Sequence, residues 1–404
     1  MVRAAPGKFE AMSIEPGTTP APAPAPGPSN PAAPAHGSRI HGCLLGGALG
    51  DSLGYAVEFD HISAIRARFG PAGLRDFSAL DAGSPFSDDT QMTLYTADGI
   101  LEALEWANDG VAADINACLW LAYLRWLGTQ GVAVPTSAPF QPPRWIDGQE
   151  VLKNRRAPGN ACLSGLATGE MGTVQRPVNP ESKGCGTVMR SAPFGLIPHL
   201  EPETVYKLSA DAASLTHGHP AARQSAGVFS LVIHGLACGL GLRDAAEAAL
   251  GRLRGGVLRK GEDPDADVVA RLEAALRLAG LPGAGDILSP ENLVSELGEG
   301  WVAEEALAVA LYAVLATVPE TGAETGTTSA ETGATGDRAE AHFRAAIAVA
   351  VNHSGDSDST ASIAGNILGA YYGEQCLPAG WLAALEAPEV IRGMASRLAA
   401  VTGT

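Results

Sequence analysis

Two short acidic clusters lie far apart in the chain, and each combines carboxylates with hydroxyl groups. The first is Ser87-Asp88-Asp89-Thr90, and the second is Asp356-Ser357-Asp358-Ser359. Carboxylates packed this closely repel one another unless a positive ion lies among them, and such oxygen donors suit Mg²⁺ or Mn²⁺ better than zinc. Because four aspartates carry more charge than one divalent ion needs, the pair of clusters predicts a site for two ions.

Each cluster also has a purely structural explanation, because each stands where a helix is predicted to begin. Ser87 precedes an amphipathic run from Met92 to Leu104, and Ser359 precedes a second run from Ala361 to Leu368. Serine is a favoured N-cap residue, and acids in a first helical turn interact well with the helix dipole. Taken singly, either cluster is accounted for by a capped helix, and only their convergence points to a metal site.

Three other segments carry polar groups that could take part in binding or catalysis. The glycine-rich stretch Lys183–Arg190 can direct backbone amides towards a phosphate, although it lacks the Walker spacing and an ordinary loop is an open alternative. In Thr216–Pro220 the two histidines are two residues apart and cannot share a helix face, so His217 is predicted to contact a ligand or to form a hydrogen bond in a loop rather than to form a metal pair. Asp51 and Glu58 are acids in an apolar segment, and each needs a partner.

The elements that must position these groups are predicted to be helices. Alanine, leucine and glycine recur with helical spacing from Arg39 onwards, and apolar runs such as 303–315 are too long for ordinary strands. Glycines at positions 42, 46, 50 and 54 form a ridge on one helix face, which predicts close packing against a second helix. We therefore expect an all-α protein with one helical domain spanning residues 39–404.

Two segments are predicted to lie outside this packing. Residues 1–38 contain nine of the 28 prolines and are expected to form a disordered, partly polyproline II arm. Residues 319–337 repeat Glu-Thr-Gly and are expected to form a flexible loop between two core helices.

Composition limits the classes of function. The 404 residues carry a formal net charge of −17, which argues against general nucleic-acid binding and against an anionic membrane surface. No apolar stretch reaches the roughly 18 residues of a membrane helix. Six cysteines without a CxxC pair favour a reducing compartment over a disulfide framework or a zinc ribbon. We expect a cytoplasmic protein that acts as a monomer.

Five segments in order resemble the ADP-ribosylglycohydrolase family, which includes the glycohydrolase that reactivates dinitrogenase reductase. They are GCLLGGALGDSLGYAVE from residue 42, SDDTQM from 87, GCGTVMRSAPFGL from 184, THGHP from 216 and GDSDSTASIAGNILGAYYG from 355. The resemblance implies an all-helical fold, a single compact orthogonal helical bundle. It implies two Mg²⁺ ions, or Mn²⁺, that contact the distal ribose of ADP-ribose. It also implies an ADP-ribosylated protein or other ADP-ribosylated acceptor as substrate and ADP-ribose as product.

The resemblance also implies roles for individual residues. The metal ligands would be Ser87, Asp88, Asp89, Asp356, Asp358 and Ser359. Gly184, Cys185 and Gly186 would form a turn that contacts phosphate and ribose, with His217 near the ligand. The general base would be Asp88 or Asp89, with Glu58 as the second choice. Cys185 departs from the family pattern, which has asparagine there, and Ser359 replaces a threonine but keeps its hydroxyl.

Other interpretations remain open at this point. Residues 356–360 superficially resemble the DxDx(S/T) motif of haloacid-dehalogenase-type phosphatases, but no lysine follows Asp356 as that fold requires. A catalytically weak relative that only binds ADP-ribose is the alternative within the family. The acceptor linkage is not specified by these motifs, and we hypothesise that the segment 138–162, which contains Trp145, recognises the acceptor.

Overall fold

The computed structural model describes residues 34–80, 84–140, 142–256, 261–280, 287–319 and 331–402. Helices make up 66% of the structure, and no β-strand occurs within the described residues. The all-α prediction is therefore confirmed. In chain order the α-helices are α1 (His36–Tyr55), α2 (Ile62–Phe69), α3 (Asp88–Asn108), α4 (Ile115–Thr129), α5 (Asn160–Ala167), α6 (Ala192–Gly195), α7 (Pro202–Ala213), α8 (Pro220–Ala237), α9 (Leu242–Arg254), α10 (Ala266–Leu278), α11 (Pro290–Leu297), α12 (Ala303–Ala316), α13 (Glu331–Val351), α14 (Ser357–Tyr372), α15 (Ala379–Ala384) and α16 (Pro388–Val401).

The pair α1 and α14 forms the most extensive helix contact in the described fold. A Cβ atom placed on Gly50 would overlap the backbone carbonyl group of Ala361, and one placed on Gly365 would overlap the carbonyl oxygen of Gly46. The two backbones can therefore approach this closely only because these positions carry no side chain. The close packing predicted from the glycine ridge is confirmed.

Polar bonds hold the same two helices in register. The Asn366 side-chain amide donates to the carbonyl oxygen of Cys43 at 2.8 Å. One turn further along each helix, Arg39 Nη1 donates to the carbonyl oxygen of Ala370 at 2.7 Å. Because both bonds are buried, breaking either would leave a polar group without a partner in the core. The register of α1 against α14 is therefore well determined.

Two predicted boundaries differ from the observed helices. Helix α1 begins at His36, two residues before the end assigned to the N-terminal arm, and residues 1–33 lie outside the described residues. Helix α13 begins at Glu331, inside the segment predicted as a loop at 319–337, of which 320–330 lie outside the described residues. Further along the same helix, Ala339 and Phe343 anchor it in the core.

Within the described residues, no helix combines the length and the apolar character needed to span a membrane.

A buried histidine holds the end of α13 against the start of α14. His353 is fully buried, and its Nε2 lies 3.0 Å from the hydroxyl oxygen of Thr360. That hydroxyl donates to backbone carbonyl oxygens, among them that of Asp356 at 2.8 Å. Burial lowers the pKa of His353 from 6.5 to about 4. The ring is therefore neutral in the folded protein at neutral pH.

We predict that His353 contributes to a loss of stability in mild acid. Its folded-state pKa lies below the unfolded value of 6.5, so its contribution is present above pH 6.5 and is lost as the pH falls towards 4. At pH 5 the loss amounts to about 2 kcal/mol of unfolding free energy. Urea unfolding of wild type and His353→Gln at pH 7 and pH 5 measures it, because glutamine can keep the bond to Thr360 without titrating. Identical pH dependence in the two proteins would contradict the prediction.

Candidate active site

One cavity of about 490 Å³ gathers residues from distant parts of the chain. Ten of the eleven site residues predicted from the sequence line it: Glu58, Asp88, Asp89, Gly184, Cys185, Gly186, His217, Asp356, Asp358 and Ser359. The eleventh, Ser87, does not. The two acidic clusters therefore converge, which capped helices acting independently would not explain.

The first cluster is held in place by Asp51 of α1. Its carboxylate accepts hydrogen bonds from the backbone amides of Ser87 at 2.9 Å and Thr90 at 3.0 Å, and from the Thr90 hydroxyl. The Ser87 hydroxyl in turn accepts from the Asp89 amide at 3.2 Å and caps α3. Asp51 thus has the partner that its burial requires, and Ser87 acts as an N-cap outside the cavity lining.

The second cluster begins α14 in a similar way. Asp356 is the N-cap residue, and its Oδ1 accepts from the Ser359 amide at 3.2 Å. Its own amide donates to the carbonyl oxygen of Glu299 at 2.9 Å, which ties the cluster to the segment before α12. Asp358 follows in the first turn and is almost fully buried. Two helix starts therefore present their carboxylates to one cavity.

The gathered carboxylates are costly in their charged form. Burial raises the pKa of Asp88 to about 8, against a hydrogen bond that its Oδ2 accepts from the Gly159 amide at 3.1 Å. Burial, reinforced by neighbouring carboxylates, also raises the pKa of Asp89 and of Asp358 well above the usual value. A cation among these groups would favour their charged forms.

Two observations bear on whether the site fits divalent cations. The Oδ2 atom of Asp89 and the Oε2 atom of Glu58 are buried and have no hydrogen-bond partner within the described residues. Such orphaned oxygens, in a lining rich in carboxylates, fit hard divalent ions. Within the same residues, no three histidine, cysteine, aspartate or glutamate side chains meet the spacing of a preformed metal site. The donor atoms are of the kind that bind these ions. They are not already arranged at coordination distances around one point.

The glycine turn is fixed to the segment before α12. The Cys185 amide donates to the carbonyl oxygen of Trp301 at 3.2 Å, and the Ala303 amide donates to that of Lys183 at 2.9 Å. The Cys185 amide is therefore already bonded and does not point to a ligand. A Cβ atom on Gly186 would lie 3.1 Å from Cε1 of His217, so the turn packs closely on that ring.

A chain of hydrogen bonds defines the state of His217. Arg190 Nη2 donates to the Thr216 hydroxyl oxygen at 2.7 Å, and that hydroxyl lies 2.8 Å from Nδ1 of His217. We assign the hydroxyl proton to the bond with Nδ1, which puts the ring proton of His217 on Nε2. Burial lowers the pKa of His217 to about 3, with the Arg190 charge adding to the effect. His217 is thus a neutral donor at the cavity.

Two stacked aromatic residues at the cavity were not predicted from the sequence. Phe59 is 74% exposed and Trp301 is 39% exposed, and both line the cavity. Their rings stack with centroids 6.1 Å apart and an interplanar angle of 14°. Phe59 directly follows Glu58 and could have been noticed there, whereas nothing in the sequence around Trp301 distinguishes it. Exposed aromatic rings of this kind offer a planar apolar surface to a ligand.

The segment proposed to recognise an acceptor is only partly at the site. Residues 157–162 line the cavity, but Trp145 does not. The Trp145 ring instead packs beside Gly393 and under the guanidinium of Arg397 in α16, with the guanidinium carbon 4.5 Å from the ring centroid. The hypothesis was wrong for Trp145, because an indole fills space in a helix interface as readily as at a ligand site.

A wider groove adjoins the cavity. It has a volume of about 760 Å³ and shares Asn160, Ala161 and Ser182 with the first cavity. Its remaining lining combines small apolar side chains with Asn179 and Glu181. A ligand longer than the acidic cavity could therefore extend along the surface past α5.

Comparisons with known proteins agree on one family. The ADP-ribosylglycohydrolase family profile matches residues 32–404. An uncharacterized protein of Archaeoglobus fulgidus is 26% identical over 365 residues, covering 89% of this chain and 95% of the relative. The ADP-ribosylhydrolase ARH3 of Danio rerio is 25% identical over 388 residues, covering 89% and 90%, and that of Mus musculus is 25% identical over 371 residues, covering 85% and 86%.

The fold comparison is consistent with this result. A solved structure described as an ADP-ribosylglycohydrolase-related protein complex superposes with a TM-score of 0.57 at 23% identity, covering 91% of this chain and 99% of that chain. At this identity the likeness concerns the fold alone. The family profile, by contrast, spans the segments that form the cavity. The chain therefore belongs to the ADP-ribosylglycohydrolase family and is a hydrolase that acts on glycosyl bonds.

Proposed function

We propose that the chain removes ADP-ribose from a modified acceptor by hydrolysing the glycosidic bond at C1 of the distal ribose. The observation that carries the proposal is the convergence of both acidic clusters, Glu58 and His217 on one cavity. Its volume of about 490 Å³ lies within the range of small-molecule sites, about 300–1,000 Å³. The adjoining groove provides room for the remainder of a dinucleotide-sized ligand.

We propose that two Mg²⁺ ions, or Mn²⁺, belong to this function. Asp88, Asp89, Asp356, Asp358 and Ser359 would hold them, since these side chains supply oxygen donors from both sides of the cavity. When bound, such ions supply positive charge that orients sugar hydroxyls and activates water. Ser87 is omitted from the proposed ligands because it is not among the residues that line the cavity.

Glu58 is our choice for the residue that accepts the proton of the attacking water. Asp88 already accepts from the Gly159 amide, and Asp356 accepts from Cys185 and Ser359. Within the described residues, Glu58 keeps a buried oxygen without a hydrogen-bond partner, and we do not count it among the proposed cation ligands. In the cation-free protein, burial and the facing carboxylates raise the pKa of Glu58 to about 9. Neutralisation of those carboxylates would lower the pKa of Glu58 and permit it to act as a base.

The remaining lining residues would position the two ends of the substrate. The Nε2–H group of His217 can donate to a phosphate or ribose oxygen without carrying a charge. Phe59 and Trp301 present apolar faces at the cavity and are where an acceptor would lie. The cleaved bond joins C1 to the acceptor atom, and the carboxylates beside it would stabilise the positive charge that develops on the sugar ring.

The proposal is tested by incubating purified protein with Mg²⁺ or Mn²⁺ and substrates linked through arginine, serine, an acetyl ester or a nucleobase. We expect release of ADP-ribose from at least one linkage, and loss of that release after chelation. Calorimetry with ADP-ribose is run on the same preparation. Binding of ADP-ribose without hydrolysis of any linkage would contradict the proposal and identify a binding protein instead.

A further inference from the structure

We propose that Cys185 adds a sulfur ligand to this cavity, so that the acidic centre also binds a thiophilic divalent cation such as Cd²⁺ or Zn²⁺. The inference rests on the metal centre of the proposed function and goes beyond it, because a site for Mg²⁺ has no use for sulfur. It concerns the kind of cation that this chain accepts.

The thiol lies among the proposed oxygen ligands. Cys185 Sγ is 2.7 Å from Oδ2 of Asp356 and 3.6 Å from the hydroxyl oxygen of Ser359. Both Asp356 and Ser359 line the cavity together with Cys185. A cation bonded to the Asp356 carboxylate on this side is therefore within reach of the sulfur. As a metal–sulfur bond forms, the thiol proton leaves to solvent.

A second observation points to a cation at the same place. The Oδ2 atom of Asp89 is buried and has no hydrogen-bond partner within the described residues, although its side chain lines the cavity. The carboxylates of Asp89 and Asp356 and the sulfur of Cys185 would supply a mixed oxygen and sulfur donor set, which has to draw together around the cation because these groups are not already at coordination distances. Thiolate ligands select softer cations, and Zn²⁺ accepts both cysteine sulfur and carboxylate oxygen as ligands.

The chain offers a matched control for this inference. Cys162 also lines the cavity, but its Sγ lies 3.6 Å from Nη1 of Arg190, whose positive charge disfavours a cation there. Cys238 is exposed and would bind added metal non-specifically. A Cys238→Ser background removes that contribution, and both cavity cysteines can then be tested singly.

The experiment titrates CdCl₂ into the full chain and follows the ultraviolet sulfur-to-cadmium charge-transfer band together with the heat of binding. We expect a saturable band in the Cys238→Ser protein and in its Cys162→Ser derivative. In the Cys185→Ser derivative the band should disappear and Cd²⁺ affinity should fall by about 10- to 100-fold, with Mg²⁺ affinity close to that of the parent. Thermal melting and a Cys185→Ala derivative establish that any loss does not come from misfolding.

Three results would overturn the inference. They are a band that persists without Cys185, Cd²⁺ binding without a band in the Cys238→Ser parent protein, or equal losses of Cd²⁺ and Mg²⁺ affinity in a folded Cys185→Ser derivative. Failure of the proposed function gives a different result. A parent protein that shows the Cys185-dependent band but releases no ADP-ribose would support the sulfur ligand and contradict the hydrolase.

Discussion

Replacing Asp358 with asparagine is expected to lower kcat/KM for ADP-ribose release by about 10²- to 10³-fold. Asp358 lies in the first turn of α14 and faces the cavity, where its carboxylate is one of the proposed cation ligands. The amide keeps the size of the side chain but removes its charge. Because a cation loses one anionic ligand, Mg²⁺ affinity should fall by about 10- to 100-fold. Kinetics and calorimetry on the same preparation measure the two effects.

The stability of the metal-free protein should change in the opposite direction. The charges of Asp89 and Asp356 add to burial in raising the pKa of Asp358, which means that its charged form is unfavourable in the fold. Removing that charge should leave the melting temperature in chelator equal to the wild-type value or about 2–4 °C above it. Loss of activity with unchanged Mg²⁺ affinity would contradict the assignment of Asp358 as a cation ligand.

Asp98 is a matched control within α3. It is as deeply buried as Asp358, but it accepts from Nε of Arg144 at 2.8 Å and forms an ion pair with Arg125. Asp98→Asn weakens a paired charge in the core and should lower the free energy of unfolding by up to about 3–5 kcal/mol without changing Mg²⁺ affinity. Equal effects of the two substitutions on stability would show that Asp358 serves the fold and not the site.

The convergence of the acidic clusters could be predicted because two independent features pointed to it. Carboxylates at two helix starts needed a common counter-ion, and the glycine ridge in α1 needed a helix to pack against. In the structure both features involve one helix. Helix α14 packs against the glycine ridge of α1, and Asp356 and Asp358 lie at its N-terminus. Helical periodicity and small-residue spacing depend on local sequence, so they are visible before the fold is known.

Other parts of the site depend on tertiary contacts and could not be predicted. Asp51 has a sequence signal similar to that of the cavity residues, yet its carboxylate accepts from backbone amides at the start of α3, where Ser87 is the N-cap that its position predicted. Trp145 was assigned to acceptor recognition from its loop, but its neighbours come from α16, far along the chain. The stacking of Phe59 on Trp301 likewise joins distant segments. Which polar group faces a cavity is decided by packing, which sequence spacing does not record.

Gly50→Ala is expected to lower the free energy of unfolding by about 3 kcal/mol, although alanine is the better helix former. The new methyl group would overlap the backbone carbonyl group of Ala361, and no rotamer change can relieve an overlap with a backbone. Helices α1 and α14 must therefore separate. Because Asp51 follows Gly50 and holds the first cluster, Mg²⁺ affinity should fall as well. Urea unfolding and calorimetry measure the two consequences.

Gly37→Ala in the first turn of the same helix tests whether the effect comes from the contact rather than from the residue type. Apart from its chain neighbours and the backbone of its own helix, no described atom lies within 4 Å of a Cβ atom placed there, so this substitution should raise stability by about 0.5–1 kcal/mol. Opposite signs for two glycine-to-alanine changes in one helix can arise only from their surroundings. If both substitutions raised the free energy of unfolding, α14 would have to move away from the new methyl group at Ala361 without any loss of stability. The close crossing could then not be what holds the acidic clusters together.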